Sequence, residues 1–202
     1  MSTAISYKPS AGEIKRLREE TGAGMLDCRA ALVSASGDHD AAKKNLLDQG
    51  LSKVAKKAAR AANEGLVGSY IHVGGKIGVL VEINCETDFV ARNERFGELV
   101  NDVAMHIAAM PVKYGSRDQV PEEELEALRA EFTKAAEGKP PGVIEKIVSG
   151  KINKWYEENV LLDQPFIKND DQTVGELIAS VVGVLGEKIE VRRFAKYTLG
   201  GA

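Results

Sequence analysis

The stretch from Gly65 to Asn84 constrains the fold most. Val67, Ser69, Ile71 and Val73 alternate with Gly68, Tyr70 and His72. After Gly74-Gly75 the chain returns with Ile77, Val79, Val81 and Ile83 on one face. A period of two puts alternate side chains on one side of a pleated strand. Gly-Gly takes positive φ without steric cost, so the segment predicts a β-hairpin over 65–84. An apolar sheet face must be covered, and the next periodic segment is a helix. Phe96, Leu99, Val100, Val103 and Ile107 recur at helical spacing before Pro111.

Upstream, Ser10 stands three residues before Glu13, a capping-box spacing that opens a helix carrying Ile14 and Leu17 and running to about Glu20. Thr21-Gly22-Ala23-Gly24 breaks it. A second helix carries Met25, Cys28, Leu32 and Ala35. Ser36-Gly37-Asp38 ends that one and caps a third, with Ala42, Leu46 and Leu47, which Gly50 is expected to close. Residues 1–55 thus read as a three-helix module, and 56–64 as a basic linker helix. Residues 65–202 read as a core and dimerisation domain. Within it, Pro121 opens a helix with Glu122, Glu123 and Glu124 in its first turn, where acidic groups suit the positive end. Leu125, Leu128, Phe132 and Ala135 form its stripe. Gly138-Lys139-Pro140-Pro141-Gly142 breaks it, and Ile144, Ile147, Val148, Ile152 and Trp155 return, giving a helical hairpin over 121–158. A helix over 174–185, capped by Thr173, and a strand over 189–194 complete the chain. Helices grouped around a few non-adjacent strands predict an α+β fold with a three-stranded antiparallel sheet.

The chemistry of an enzyme is hard to find. No Walker-type loop and no GxGxxG is present. His39, His72 and His106 are far apart in sequence, and Cys28 and Cys85 form no CxxC pair, so neither a metal nor a cofactor is expected. Cys85 with His72 could be written as nucleophile and base, and Asp88 as a general acid. A small buried thiol at a strand end and a turn carboxylate are the simpler readings. His106 lies on the Asp102–His106–Met110 face, off the main apolar stripe, where it is expected to be solvated. Of the 202 residues 44% are hydrophobic and 28% charged, with a net charge of −3. That balance disfavours binding that works by neutralising phosphates. No run of about 18 apolar residues suggests a membrane span. MSTAISYKPS lacks the pattern of a secretory signal. With two cysteines, the expected compartment is a reducing cytoplasm.

Two features resist a purely structural account. Lys53, Lys56, Lys57 and Arg60 share one helical face, which reads either as a solvated linker or as a docking stripe for RNA, the ribosome or an acidic partner. The second is Thr87-Asp88-Phe89-Val90, a turn between strand and helix. Phe89 there is either a staple folded back on the core or a protruding anchor rimmed by Thr87, Asp88, Arg92 and Asn93.

Three segments carry a resemblance. LREETGAGMLDCRAAL (17–32), GSYIHVGGKIGVLVEINCETDFVARN (68–93) and VRRFAKY (191–197) are similar, in that order, to the signatures of the bacterial translation elongation factor Ts family. The resemblance implies a ubiquitin-associated fold for the N-terminal module. It implies guanine nucleotide exchange on elongation factor Tu, met both GDP-bound and nucleotide-free, without enzymatic chemistry and with no nucleic acid required. In that family the Asp-Phe pair enters the partner's nucleotide-binding domain beside the magnesium and phosphate site. Here the pair is Asp88 and Phe89, flanked by Thr87 and Val90. Arg18, Met25 and Leu26 match positions that touch the same domain, and His106 matches one that meets another. Longer members carry two core subdomains and this chain has one. Open sheet edges and narrow apolar stripes on the 121–158 hairpin then suggest a homodimer.

Overall fold

A computed structural model describes residues 7–201. These divide into two compact units. One takes in the chain up to Leu66 with Asn84–Leu99 and Glu176–Glu190. The other takes in Val67–Ile83, Val100–Gly175 and the chain from Val191 on.

In the first unit, α1 (Ala11–Thr21), α2 (Met25–Ser34) and α3 (His39–Lys57) pack as the N-terminal sequence requires. Ser10 and Glu13 form the expected capping box, and the Asp38 carboxylate accepts from the Ala41 N–H at 2.9 Å. Each such cap contributes about 1 kcal/mol. Gly22 closes α1 in the left-handed region, where a side chain would be strained. Leu17, Cys28, Ala31, Leu32 and Ala42 form the buried centre, with Ile14, Ala23, Ala35 and Leu46 against it.

α3 does not stop at Gly50. It continues through it to Lys57, because Gly50 serves packing and not termination. A Cβ there would lie 2.5 Å from the Ala179 carbonyl oxygen of α8 (Val174–Leu185), and the Gly50 Cα lies 3.7 Å from where a Cβ on Gly183 would stand. The missing side chains let two helices approach closely. The linker helix expected over 56–64 is therefore only the last residues of α3. Residues 58–63 form turn and coil, and two of their carbonyls bond to distant side chains. Lys188 Nζ donates to Arg60 O at 3.0 Å and Asn84 Nδ2 to Ala62 O at 3.0 Å.

In the second unit lies most of an antiparallel sheet of order β1-β2-β5, made from β1 (Glu64–Ile71), β2 (Ile77–Cys85) and β5 (Ile189–Thr198). Gly74 and Gly75 both take positive φ in the hairpin turn. Val79, Val81 and Ile83 are buried, as their alternation predicts. On β1 the apolar residues face the other way. Val67 and Ile71 are exposed, and Gly68 faces inward because the side chain of Val100 fills the space a Cβ would need. The stripe Phe96, Leu99, Val100, Val103 and Ile107 of α5 (Glu94–Ala109) is buried at every position.

The helical hairpin is formed by α6 (Glu122–Ala135) and α7 (Pro141–Asn159). Val120, Leu125, Ile152, Tyr156 and Val160 make its buried base. Phe132 and Trp155 pack partly against it. A short pair, β3 (Pro165–Phe166) and β4 (Asn169–Thr173), precedes α8. Sequence reading misses it because Asn169-Asp170-Asp171 carries a turn composition. β5 runs four residues beyond the strand expected to end at Phe194.

Candidate functional site

The Thr87–Val90 segment is a single helical turn, α4 (Asp88–Ala91), not an open loop. Thr87 is extended and caps it. Its Oγ1 accepts from the Val90 N–H at 3.4 Å, and its carbonyl accepts from the Ala91 N–H at 3.2 Å. Behind the cap stands Glu187, from the link between α8 and β5. Its Oε2 accepts from the N–H groups of Glu86 (3.1 Å) and Thr87 (3.0 Å), and its Oε1 accepts from the Thr87 hydroxyl at 2.7 Å. Glu86 returns the arrangement. Its Oε1 accepts from the Lys188 N–H at 2.6 Å, and Arg60 Nη1 donates to both of its oxygens at 3.2 Å. The Lys188 amide, first, and Arg60 hold the Glu86 carboxyl below the usual carboxylate range.

The turn so held presents Phe89 with 83% of its surface exposed. Asp88 pairs with Arg92 at 3.0 Å, one turn on, as surface charges do. A ring that faces water is not a core staple, so the packed reading of Phe89 does not apply in this conformation.

At the start of α2 the first unit also exposes Met25 (49%) and Leu26 (78%), and Arg18 is exposed on α1. The same unit joins the α1–α2 corner to the start of α5. Arg95 Nη2 donates to Thr21 O at 2.9 Å, and its guanidinium lies over Gly22, where a Cβ would come within 1.5 Å of Nη1. Gly22 thus serves both the left-handed cap and this close approach.

His106 is placed otherwise. The expectation of a solvated side chain is corrected, since its exposure is 0%. The Ile167 N–H donates to Nδ1 at 3.3 Å, so Nε2 carries the proton and donates to Gln164 Oε1 at 2.9 Å. Gln164 Nε2 in turn donates to the carbonyls of Pro111 (2.7 Å) and Glu158 (3.0 Å). Burial holds the imidazole below its usual range, against the smaller opposite effect of Gln164. The partner of His106 is 58 residues away, which helical periodicity does not signal.

The remaining candidates lose their chemistry. Cys85 is fully buried, its Sγ donates to Thr87 O at 3.2 Å, and burial, with Glu187 next, pushes the thiol up to about 11. A thiol so placed supplies no thiolate near neutral pH. Of the four basic residues, Lys53 donates to Gly183 O at 2.9 Å and Arg60 is spent on Glu86. No group of three or more His, Cys, Asp or Glu side chains among the described residues could hold a metal ion. No helix among them is long and apolar enough to cross a membrane. Sequence reasoning misses Glu187, Glu86 and Arg95, whose most distant partners lie 74 to 102 residues away.

Residues 50–201 match the family described as Elongation factor TS. The elongation factor Ts of Moorella thermoacetica is 52% identical over 195 residues, covering 95% of each chain. That of Geotalea uraniireducens is 51% identical over 193 residues, covering 95% of this chain and 89% of its own. That of Desulforamulus reducens is 52% identical over 195 residues, with 95% and 89% covered. With half of its residues shared across nearly its whole length, the chain belongs to the elongation factor Ts family of translation elongation factors.

Proposed function

We propose that this chain promotes GDP release from elongation factor Tu by inserting Asp88 and Phe89 beside the partner's magnesium and phosphate site. The observation that carries the reading is Phe89 itself: a large ring, 83% exposed, on a turn braced from behind. Leaving such a ring in water is unfavourable, and burying it in a partner turns that cost into binding energy concentrated on one residue. Met25, Leu26 and Arg18 supply further apolar and charged contact from the first unit. Thr87 and Val90 shape the turn. His106, with its ring buried, serves as an internal brace of the second unit.

The mechanism is linkage and needs no catalytic acid, base or cofactor. The exchange factor binds the nucleotide-free partner better than the GDP-bound one. Whatever factor it takes from GDP affinity, GDP takes from its own. GTP then rebinds and displaces it. The basic face at 53–60 gives no comparable support to an RNA or ribosome adaptor, since two of its four charges are engaged internally. Release of a fluorescent GDP analogue from elongation factor Tu tests the reading. Acceleration by catalytic amounts of this chain is expected, and an unchanged release rate overturns it.

A homodimer completes the proposal. In the second unit the outer sheet face exposes Ile71, Leu80, Tyr197 and Leu199 around a groove of about 490 Å³. A second copy would cover that face in one isologous contact. Light scattering at micromolar concentration should give twice 21.8 kDa. A mass of 21.8 kDa together with full exchange activity contradicts the dimer.

A further inference from the structure

We infer that Glu187 is a positioning residue for the exchange reaction: through the Thr87 hydroxyl it fixes the pose of the turn that presents Phe89. The inference rests on the wedge reading above and adds a residue whose hydrogen bonds go to Glu86 and Thr87, behind the turn.

The argument begins with what Phe89 lacks. At 83% exposure its ring has almost no packing in its own fold. Its direction is therefore set by the backbone of α4, which is one turn long and cannot hold itself. A single helical turn fixes about six dihedrals for one hydrogen bond and is unfavourable in isolation. Its stability has to come from its cap and from what holds the cap.

The cap is Thr87, and a hydroxyl has one hydrogen and two lone pairs. The hydrogen can point in several directions, and only some leave a lone pair aimed at the Val90 N–H. Glu187 Oε1, 2.7 Å from Oγ1, takes that hydrogen and so leaves the oxygen free to accept from Val90. The other carboxylate oxygen takes the N–H groups of Glu86 and Thr87, which fixes the extended backbone just before the turn. One carboxylate therefore holds three donors on two successive residues. Hydrogen bonds to a charged acceptor are about twice as strong as neutral ones.

Glu187 is itself held. It follows Gly186, which is left-handed at φ 75° and whose N–H bonds to Val182 O at 2.9 Å to close α8. It precedes Lys188, whose N–H is taken by Glu86 at 2.6 Å. Each of the two glutamates thus bonds the backbone beside the other. The brace is reciprocal, and it connects α4 to a helix end and not to a mobile loop. Cys85 adds a bond to the Thr87 carbonyl from the β2 side.

The test measures GDP-analogue release from elongation factor Tu against exchange-factor concentration, for the full chain and for Glu187→Ala, Glu187→Gln and Phe89→Ala. Loss of folded protein would move the half-saturating concentration and leave the plateau rate intact. Loss of positioning lowers the plateau, because the docked complex holds a misdirected ring. For Glu187→Ala we expect the plateau to fall about tenfold, as for loss of a cap together with charge-assisted bonds, with half-saturation changed less than about threefold. Glu187→Gln, which keeps one acceptor oxygen, should fall between it and the wild type. In the Phe89→Ala background, Glu187→Ala should lower the plateau no further. An unchanged plateau in Glu187→Ala, alongside a lowered one in Phe89→Ala, overturns the positioning role and leaves the wedge standing. An unchanged plateau in Phe89→Ala overturns the wedge and this inference with it. Should Glu187→Ala fail to fold, Thr87→Val and Thr87→Ser decide: the plateau should fall in Val and recover in Ser, and equal plateaus in both contradict the inference.

Discussion

Phe89 and His106 stand at opposite extremes of the chain. One ring is 83% exposed and makes no hydrogen bond; the other is at 0% with both nitrogens occupied. The difference teaches how each is positioned. A buried ring is located by its own contacts, so His106 sits among Gln164, Ile167 and Phe166, its ring centroid 6.1 Å from that of Phe166. A ring that the proposed function gives to another protein cannot use such contacts. Its place is transmitted through backbone, and the polar groups that would surround a buried ring gather behind the turn instead, at Thr87, Glu86 and Glu187. Substitution at the first kind of residue should cost stability, and at the second function.

His106→Ala should show the largest stability loss. It leaves a cavity, strips the acceptor from the Ile167 N–H and removes the donor to Gln164 Oε1, which together should cost about 3 kcal/mol in urea unfolding. A loss under about 1 kcal/mol would mean that the ring is not the centre of its site.

A smaller effect separates the two regions by pH. The folded value of His106 lies below its unfolded value near 6.5, so the unfolded chain binds the proton more readily. The stability this group contributes is complete above about 6.5 and is lost as pH falls from there toward the folded value. The carboxylates of the N-terminal module act lower. Ser10, and then Tyr7, hold Glu13 down to about 2, and His39, and then Arg16, hold Glu20 there too, so their contribution is lost only as pH falls from about 4.5 toward 2. The urea midpoint should therefore decline between pH 7 and 5, and His106→Ala, though less stable, should be flatter across that window. An equal slope in both proteins would assign the decline to other groups.

Local signals in the sequence were legible where the forces are local. The Ser10–Glu13 box, the Asp38 cap, the buried face of β2 and the span of α8 all rest on spacings of a few residues, and each is found where the pattern puts it. Gly50 was misleading because glycine has two uses. It ends helices through positive φ, and it lets backbones touch through its missing side chain. Only the fold brings Ala179 to it. The apolar residues of β1 alternate as a strand should, but alternation does not say which face turns inward; Val100 over Gly68 decides that. At the site, Phe89 was visible as an aromatic out of place, while its brace was not. No spacing in the sequence joins Glu86 to Glu187; only the fold brings the end of β2 and the end of α8 side by side.

Phe89→Ala tests the central claim most directly, through the plateau rate of GDP-analogue release from elongation factor Tu measured beside the thermal unfolding of the same protein. An exposed ring at a partner's core should be worth about 2 kcal/mol or more of coupling, so the plateau should fall by about thirtyfold. The unfolding midpoint should stay within the range of a neutral surface substitution, about 0.5 kcal/mol. A plateau equal to wild type in the folded variant would contradict the account. So would a large loss of stability, which would return Phe89 to the core.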